Sequence, residues 1–353
     1  MVKKVLVISN MFPSEFSKSF GIFVKNQVDE IRKNNIEVDV IAISDYKMNK
    51  LSVIRKYFRW ILSFISNLVF KGHKYDVIHA HYVFPSGILA LIYKIIYRKK
   101  VVITAHGGDI NDMASRSRIN NFFTKIILEK CDHIIAVSDD LKKTILLKYH
   151  ISSQKITVLS MGVNRSIFYP KDTPIKSKIL FVGNVIRSKG VKELIDAIKQ
   201  ERFDGLDFLL IGEKKDSRFF NEIENEIKVN NLSNIKFMDT MPQDKVATYM
   251  NESVALILPS YNEGFGLVAL EAMSCNTLVI GSEVGGLSSL LKEHCGIMIQ
   301  PKSAAEIADS IKYVLDESNE DRIKVLKRNG LKQAQKHDSA LILEKLFRIY
   351  QEE

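Results

Sequence analysis

The stretch Pro259-Ser260-Tyr261-Asn262-Glu263-Gly264-Phe265-Gly266-Leu267-Val268-Ala269-Leu270-Glu271-Ala272-Met273 decides the fold. Ahead of it, Val254 to Leu258 is an apolar run too short for a helix and suited to a strand buried on both faces. Behind the Gly264-Phe265-Gly266 turn, Leu267, Leu270, Ala272 and Met273 repeat at a helical period. A strand, a glycine-bearing turn and a helix leave the first helical N–H groups without intrahelical partners. Such a helix start binds anions, phosphates above all. Glu263 in the turn and Glu271 in the helix are eight residues apart, a little over two helical turns, and can meet one ligand from two ends. Carboxylates accept hydrogen bonds from hydroxyls, in which sugars and riboses are rich. The residues themselves leave two readings open: a nucleotide-sugar site, or a first-turn charge followed by a solvated glutamate.

A chain of 353 residues is long enough for two domains with a core each. Cys131, Cys275 and Cys295 are isolated, giving neither a disulfide framework nor metal-ligand spacing. Lys3 and Lys4 run straight into a short strand and not into a long apolar core, so no signal peptide is expected and the protein reads as cytoplasmic. The net charge of +10 is uneven: residues 1–170 carry 26 Lys+Arg against 13 Asp+Glu, and residues 171–353 carry 25 against 28. A basic half attracts nucleic acid, an anionic membrane or an acidic substrate.

In the first half, strands are expected at Lys4–Ser9, Val38–Ile43, Asp76–Ala80, Val101–Ala105, Cys131–Ser138 and Lys155–Leu159, with a helix over Ile22–Asn34. Gly21 stands where a strand hands over to a helix, the edge at which α/β sheets bind ligands, although turn geometry alone also explains a glycine. On a helical wheel of Leu51 to Phe70, Arg55, Lys56, Arg59, Ser63, Ser66 and Asn67 share one sector and apolar or aromatic residues fill the rest. This is either a core helix or one that also lies in a membrane interface; it is a poor membrane span. His79 and His81 share a strand face, but no third ligand accompanies them and no zinc site is expected. His106-Gly107-Gly108-Asp109 follows a strand directly, placing His106 at the ligand edge unless it merely caps or fills the core.

Ser160 to Lys178, with two prolines, a glycine and no period, reads as an interdomain linker. The strand–helix pattern then restarts at Lys178–Val182 and continues through Phe208–Gly212, Ile235–Met238, Val254–Leu258 and Thr277–Ile280. Between Gly183 and Gly190, Lys189 is either a diphosphate clamp near a helix start or a solvated lysine. The expected fold class is α/β, in two doubly wound domains.

The string S-x-x-E-G-F-G-x-x-x-x-E-A-M from Ser260 to Met273 resembles the signature of the retaining glycosyltransferases of family 4. That resemblance implies a GT-B fold, two Rossmann-like domains facing a central cleft. The implied division is an acceptor-side domain over 1–165, a donor domain over 166–335, and a closing helix within 336–353 that packs back on the first domain. Thr104 to Asp109 resembles the family's H-G-x-D motif, whose histidine faces the donor sugar. Gly162-Val163-Asn164 through Pro170 resembles the family linker, with Met161 and Asn164 where Asn and Asp are usual. Gly183 to Gly190 resembles G-R-L-x-x-x-K-G, but Asn184 stands at the arginine position, so Lys189 carries over and Arg187 is the candidate replacement. Thr277–Ile280 with Gly285-Gly286 resembles V-I-x-x-x-x-G-G, with Leu278 and Ser288 in place of the usual proline and acid.

The resemblance implies His106, Glu263 and Lys189 in catalysis. Glu263 would hold the transferred sugar and Glu271 the ribose, with Gly21, Gly183, Asn184, Arg187, Lys189, Gly264, Phe265, Gly266 and Leu267 also around the donor. Backbone N–H groups and Lys189 would steady the leaving diphosphate, so neither a metal nor a further cofactor is expected; no D-x-D motif is evident. The donor would be a UDP- or GDP-linked sugar. The acceptor would be an oligosaccharide or lipid-linked glycan, similar to those of capsule, teichuronic acid or lipopolysaccharide enzymes. The basic first half, with Leu51 to Phe70, would rest peripherally on the inner face of the cell membrane. Two rivals stand beside this: a sugar-nucleotide epimerase on the same architecture, and a nucleic-acid-binding protein. No nucleic acid is expected, because no binding module is recognisable.

Overall fold

The computed structural model describes residues 2–352 apart from 16, 18–19, 46–48 and 175–176, and of Lys50 only the backbone. The chain divides into two compact units, Met1–Met161 with Ser339–Glu353, and Gly162–Asp338.

Unit 1 holds six parallel strands, β1 (Lys4–Ser9), β2 (Glu37–Ala42), β3 (Val77–His81), β4 (Lys100–Ala105), β5 (His133–Ala136) and β6 (Ile156–Val158), in the order β2-β1-β3-β4-β5-β6. Continuous burial of Val5 to Ser9 and of all of β3 explains their unbroken apolar character. The chain runs outward to β2 and returns beside β1 as β3, so the strand order reverses there, and ligands collect at the strand ends of such a reversal. His81 and Ala105 end β3 and β4 at that edge.

One face of this sheet is covered by helix Ile22–Lys33 and by the closing helix Ser339–Gln351. Ile342, Leu343, Leu346, Ile349 and Tyr350 pack with Val5, Val7, Val24, Val28 and Ile31. Right-handed crossovers send the helices Lys50–Lys71, Ser86–Tyr97 and Arg118–Lys130 to the other face. Helix Lys50–Lys71 is fastened there by the Trp60 indole N–H donating to the Ile41 carbonyl and by the Tyr93 and Tyr97 hydroxyls donating to Asn67 and to the Leu68 carbonyl.

Inside this helix the structure departs from a core helix with a polar outer sector. Trp60 and Phe64 are the large side chains buried inward, while Leu51, Ile54, Phe58, Ile61, Leu62, Ile65, Val69 and Phe70 are exposed. Lys56 and Asn67, two residues of the polar sector, reach the Asp45 carbonyl and the Tyr75 hydroxyl. The apolar residues are too many for one inward stripe, and the surplus faces outward. No described helix is long and apolar enough to cross a membrane.

Unit 2 repeats the plan with β7 (Lys178–Val182), β8 (Asp207–Ile211), β9 (Ile235–Met238), β10 (Ala255–Leu258), β11 (Leu278–Ser282) and β12 (Ile297–Ile299), ordered β12-β11-β10-β7-β8-β9 and all parallel. The prolines and glycine of the expected linker do not leave it loose. Phe168 is buried in the unit 2 core, its carbonyl accepts from the Ser274 hydroxyl at 2.6 Å, and the Lys171 N–H donates to Asn251 at 2.7 Å. Residues 175 and 176 of that stretch lie outside the described residues.

Because Leu346 is fully buried between the closing helix and β1 neighbours, Leu346→Ala should lower the urea-unfolding free energy of unit 1 by about 2–5 kcal/mol. A loss below about 1 kcal/mol would show that the helix contributes little to that core.

Candidate active site

In unit 2, β10 ends at Leu258 and the chain turns through residues 259–266 into helix Leu267–Ser274. Gly266 precedes this helix at φ +90°, in the left-handed region, and no side chain caps it. The first-turn N–H groups, together with the positive end of the helix dipole, are therefore offered to an anion.

Glycines hold this turn in place by letting backbone lie on backbone. A Cβ on Gly285 would stand 2.1 Å from the Glu263 carbonyl oxygen, and one on Gly286 would stand 2.4 Å from that of Gly264. The Gly286 N–H also donates to the Glu263 carbonyl at 3.2 Å. From the other side, a Cβ on Gly190 would stand 1.9 Å from the Pro259 oxygen. No side chain fits in these gaps.

Lys189 ends a short 3-10 turn, Arg187–Lys189, and its ammonium lies 2.6 Å from Glu263 Oε1. The Ser260 hydroxyl donates to the same oxygen at 3.3 Å. The Tyr261 hydroxyl donates to Glu193 at 2.6 Å and its N–H to the Ser188 carbonyl at 2.9 Å, which ties the turn to the segment carrying Lys189. Lys302 lies over the Tyr261 ring at 5.0 Å. Lys189 and Glu263 are thus brought together directly.

Arg187 is placed differently. Its guanidinium is paired with Glu222 at 2.9 Å, against the Phe219 ring, and both ionic partners are about half exposed. Gly183 and Asn184 follow β7, with the Gly183 N–H donating to the Ile211 carbonyl; a Cβ on Gly212 would stand only 1.8 Å from the Gly183 oxygen.

Glu271 is buried, which excludes the solvated reading. Its carboxyl accepts from the Gln243 amide at 3.3 Å, and burial pushes its pKa up to about 8. Gln243 opens the helix Gln243–Asn251 after β9 and was not legible as a site residue, since a lone glutamine carries no motif. Tyr261, Gly190 and Gly212 were likewise unassigned; only the clustering of glycines beside strand ends hinted at close backbone approach.

In unit 1, His106 follows β4 and is half-buried between Phe23 and Tyr82, with ring centroids at 4.8 and 4.6 Å. Its Nε2 lies 3.2 Å from His81 Nδ1, and burial pushes its pKa down to about 3. Buried Asp109 accepts from the N–H groups of Val83, His106 and Gly107 at 2.9, 3.0 and 2.9 Å, fixing the loops after β3 and β4 to each other. Gly21 has φ +71°, and a Cβ there would stand 2.5 Å from the Met11 oxygen, so the loop before helix Ile22–Lys33 also depends on backbone contact. Among the described residues no group of three or more His, Cys, Asp or Glu is placed to hold a metal ion.

The buried Glu271 carboxyl makes a test of pH. It ionises near 8 in the folded chain and near 4.5 when exposed. Folding stability from this group is complete below about pH 4.5 and is lost as pH rises through 8. Ligand-free Glu271→Gln should therefore melt above the wild type at pH 8, with the gap closing toward pH 4.5. A gap that widens on acidification would contradict the burial.

Comparison with known proteins places both halves. The model described as Glycosyltransferase Family 4 matches residues 21–166, and that described as Glycosyl transferases group 1 matches residues 169–333. Over 344 residues the chain is 30% identical to the uncharacterized glycosyltransferase MJ1178 of Methanocaldococcus jannaschii, covering 94% of this chain and 93% of that protein. It is 25% identical over 356 residues to TuaC of Bacillus subtilis, a glycosyltransferase assigned to teichuronic acid biosynthesis, covering 87% and 88% of the two chains. Anabaena HepE, whose crystal structure holds UDP and glucose, shares the fold with a TM-score of 0.79 at 16% identity, and the likeness covers 100% of both chains. Matched along nearly its whole length, with an uncapped helix start beside a lysine–glutamate pair, the chain belongs to the retaining family 4 glycosyltransferases of the GT-B fold, enzymes that depend on a nucleotide-sugar donor.

Proposed function

We propose that this enzyme transfers a sugar, with retention, from a UDP- or GDP-linked donor to a lipid-linked glycan during cell-surface polysaccharide synthesis. The observation that carries the donor half of this reading is the uncapped helix start at Gly266 beside the Lys189–Glu263 pair. Departure of a nucleoside diphosphate places negative charge on oxygen. Fixed N–H groups at Phe265, Gly266 and Leu267, together with the Lys189 ammonium, oppose that charge without a metal. Lys189 exchanges Glu263 for a phosphate oxygen as the donor arrives, which frees Glu263 for hydroxyls of the transferred sugar.

Glu271 takes the ribose. Its carboxyl is largely protonated near neutral pH in the free protein, and hydroxyls donating to it favour the charged form. Gly183, Asn184 and Gly264 bring backbone close to the donor, as Gly21 does from residues 1–165. Arg187 is the replacement for the arginine missing at position 184, leaving Glu222 for phosphate. His106 hydrogen-bonds the transferred sugar. In this reading residues 166–335 bind the donor, residues 1–165 the acceptor, and the stretch 336–353 completes the acceptor side. HepE, crystallised with UDP, makes UDP-linked sugars the first donors to test. TuaC supports a cell-surface polymer as the product.

The acceptor side is read from the outward apolar face of helix Lys50–Lys71, flanked by exposed Arg55 and Arg59 in the basic half. A helix of this kind lies in the interface of an anionic membrane, where lipid-linked acceptors reside. The family supports the glycosyltransferase over the epimerase and nucleic-acid alternatives; extension of a glycan, and not interconversion of the free sugar nucleotide, is the activity to assay.

Transfer kinetics separate the two carboxylates. Glu271→Ala should raise the donor KM with kcat nearly kept, and Glu263→Ala should lower kcat by roughly 10- to 1,000-fold. Equal effects on both constants would argue against that division. Lys189→Ala and Arg187→Ala should each slow transfer; a normal rate in the arginine variant alone would remove Arg187 from the site. Flotation of Phe58→Asp/Leu62→Asp with vesicles rich in anionic lipid should show lost binding, and undiminished flotation would rule out this helix as the anchor.

A further inference from the structure

His81 and His79 lie outside every role assigned above, yet these two buried rings form a row with half-buried His106. His79 accepts or donates through Nδ1 to the Tyr350 hydroxyl and through Nε2 to the Thr104 hydroxyl, both at 2.7 Å. The His79 ring lies on that of His81, centroids 4.4 Å apart, and His81 Nδ1 meets His106 Nε2 at 3.2 Å. His81 is fully buried and its Nε2 has no partner among the described residues.

We propose that His81 is a positioning residue that sets which nitrogen of His106 carries the proton, so that His106 offers an N–H, and not a lone pair, to the sugar. A nitrogen-to-nitrogen hydrogen bond needs one donor and one acceptor. Burial disfavours the doubly protonated form of either ring, so each carries a single proton. If His106 Nε2–H donated, the His81 proton would sit on Nε2 as a buried donor with no acceptor. If His81 Nδ1–H donates, His81 Nε2 is a bare lone pair instead. An orphaned buried N–H is the rarer and costlier of the two. The second arrangement therefore holds, and it leaves the His106 proton on Nδ1.

The surroundings keep the row in that state. Tyr350, on the closing helix, and Thr104, on β4, pin both nitrogens of His79, which in turn backs the His81 ring. Phe23 and Tyr82 hold the His106 ring from its faces. Tyr82 does so from φ +68°, a left-handed conformation strained for an aromatic residue, and its N–H donates to the Thr104 carbonyl at 3.0 Å. A neutral imidazole with its proton on the nitrogen turned away from His81 binds a hydroxyl or ring oxygen as donor. It does not act as a general base.

The proposal rests on the reading of His106 as a sugar ligand, and the test separates the two. Side-chain 15N NMR of histidine-labelled protein should find His106 protonated at Nδ1 in the wild type. In His81→Leu that proton should redistribute between the nitrogens, and kcat should fall roughly 10- to 100-fold while donor KM stays within about 2-fold. His81→Asn, whose amide nitrogen stands where Nδ1 stood, should recover most of the rate, and thermal melts should show both variants folded. Wild-type His106 protonated at Nε2, or His81→Asn as slow as His81→Leu in folded protein, would overturn the assignment. An unimpaired His106→Ala would instead refute the sugar-ligand role and leave the tautomer result standing.

Discussion

Backbone packed on backbone, with no room for a Cβ, is the constraint on which the turn 259–266 of unit 2 depends. The turn 259–266 is gripped between Gly190 on one side and Gly285 and Gly286 on the other, at separations of 1.9 to 2.4 Å for a hypothetical Cβ. Those contacts fix where the first N–H groups of helix Leu267–Ser274 point, and no side chain competes for them. An anion site made of main chain needs no reorganisation when charge develops, which is why it suits a leaving diphosphate. Gly212 against Gly183 repeats the device at the next pair of strand ends.

The two units use ionisable groups in opposite ways. Unit 2 pairs Lys189 with Glu263 at 2.6 Å in a partly exposed position. Unit 1 buries His79 and His81 with half-buried His106 beside them, and desolvation lowers the pKa of all three. Buried Asp109 accepts from three loop N–H groups and so shapes the loop that carries His106.

Much of the fold was legible because strands buried on both faces read as unbroken apolar runs. β1 and β7 fall where those runs predict them. β12 was missed because Ile297-Met298-Ile299 follows Gly296 and is too short to stand out. The strand predicted over Cys131–Ser138 contracts to His133–Ala136, since Ser138 caps the next helix. Periodicity marked helix Lys50–Lys71 but could not say which side faced the sheet, because its apolar residues exceed what one buried stripe can hold. The glycine turn before the helix was legible from its spacing, whereas spacing left Lys189 between a clamp and a solvated lysine and only the fold shows it paired with Glu263. The burial of Glu271 was not, because a glutamate in a helix is usually solvated and only the tertiary environment removes its water. Nor could spacing show that Arg187 is held by Glu222, 35 residues further along the chain.

The central claim is that the main-chain anion site and its flanking carboxylates hold a nucleotide sugar. Thermal stabilisation of the wild-type protein across UDP, GDP, ADP and CMP sugars tests it most directly. The account predicts about 3 kcal/mol of stabilisation at a hundredfold excess over the dissociation constant, for sugars of one base, UDP or GDP, and its loss in Gly286→Ala, where the turn is pushed off the helix start. Equal, negligible shifts with all four, or full stabilisation in Gly286→Ala, would contradict it.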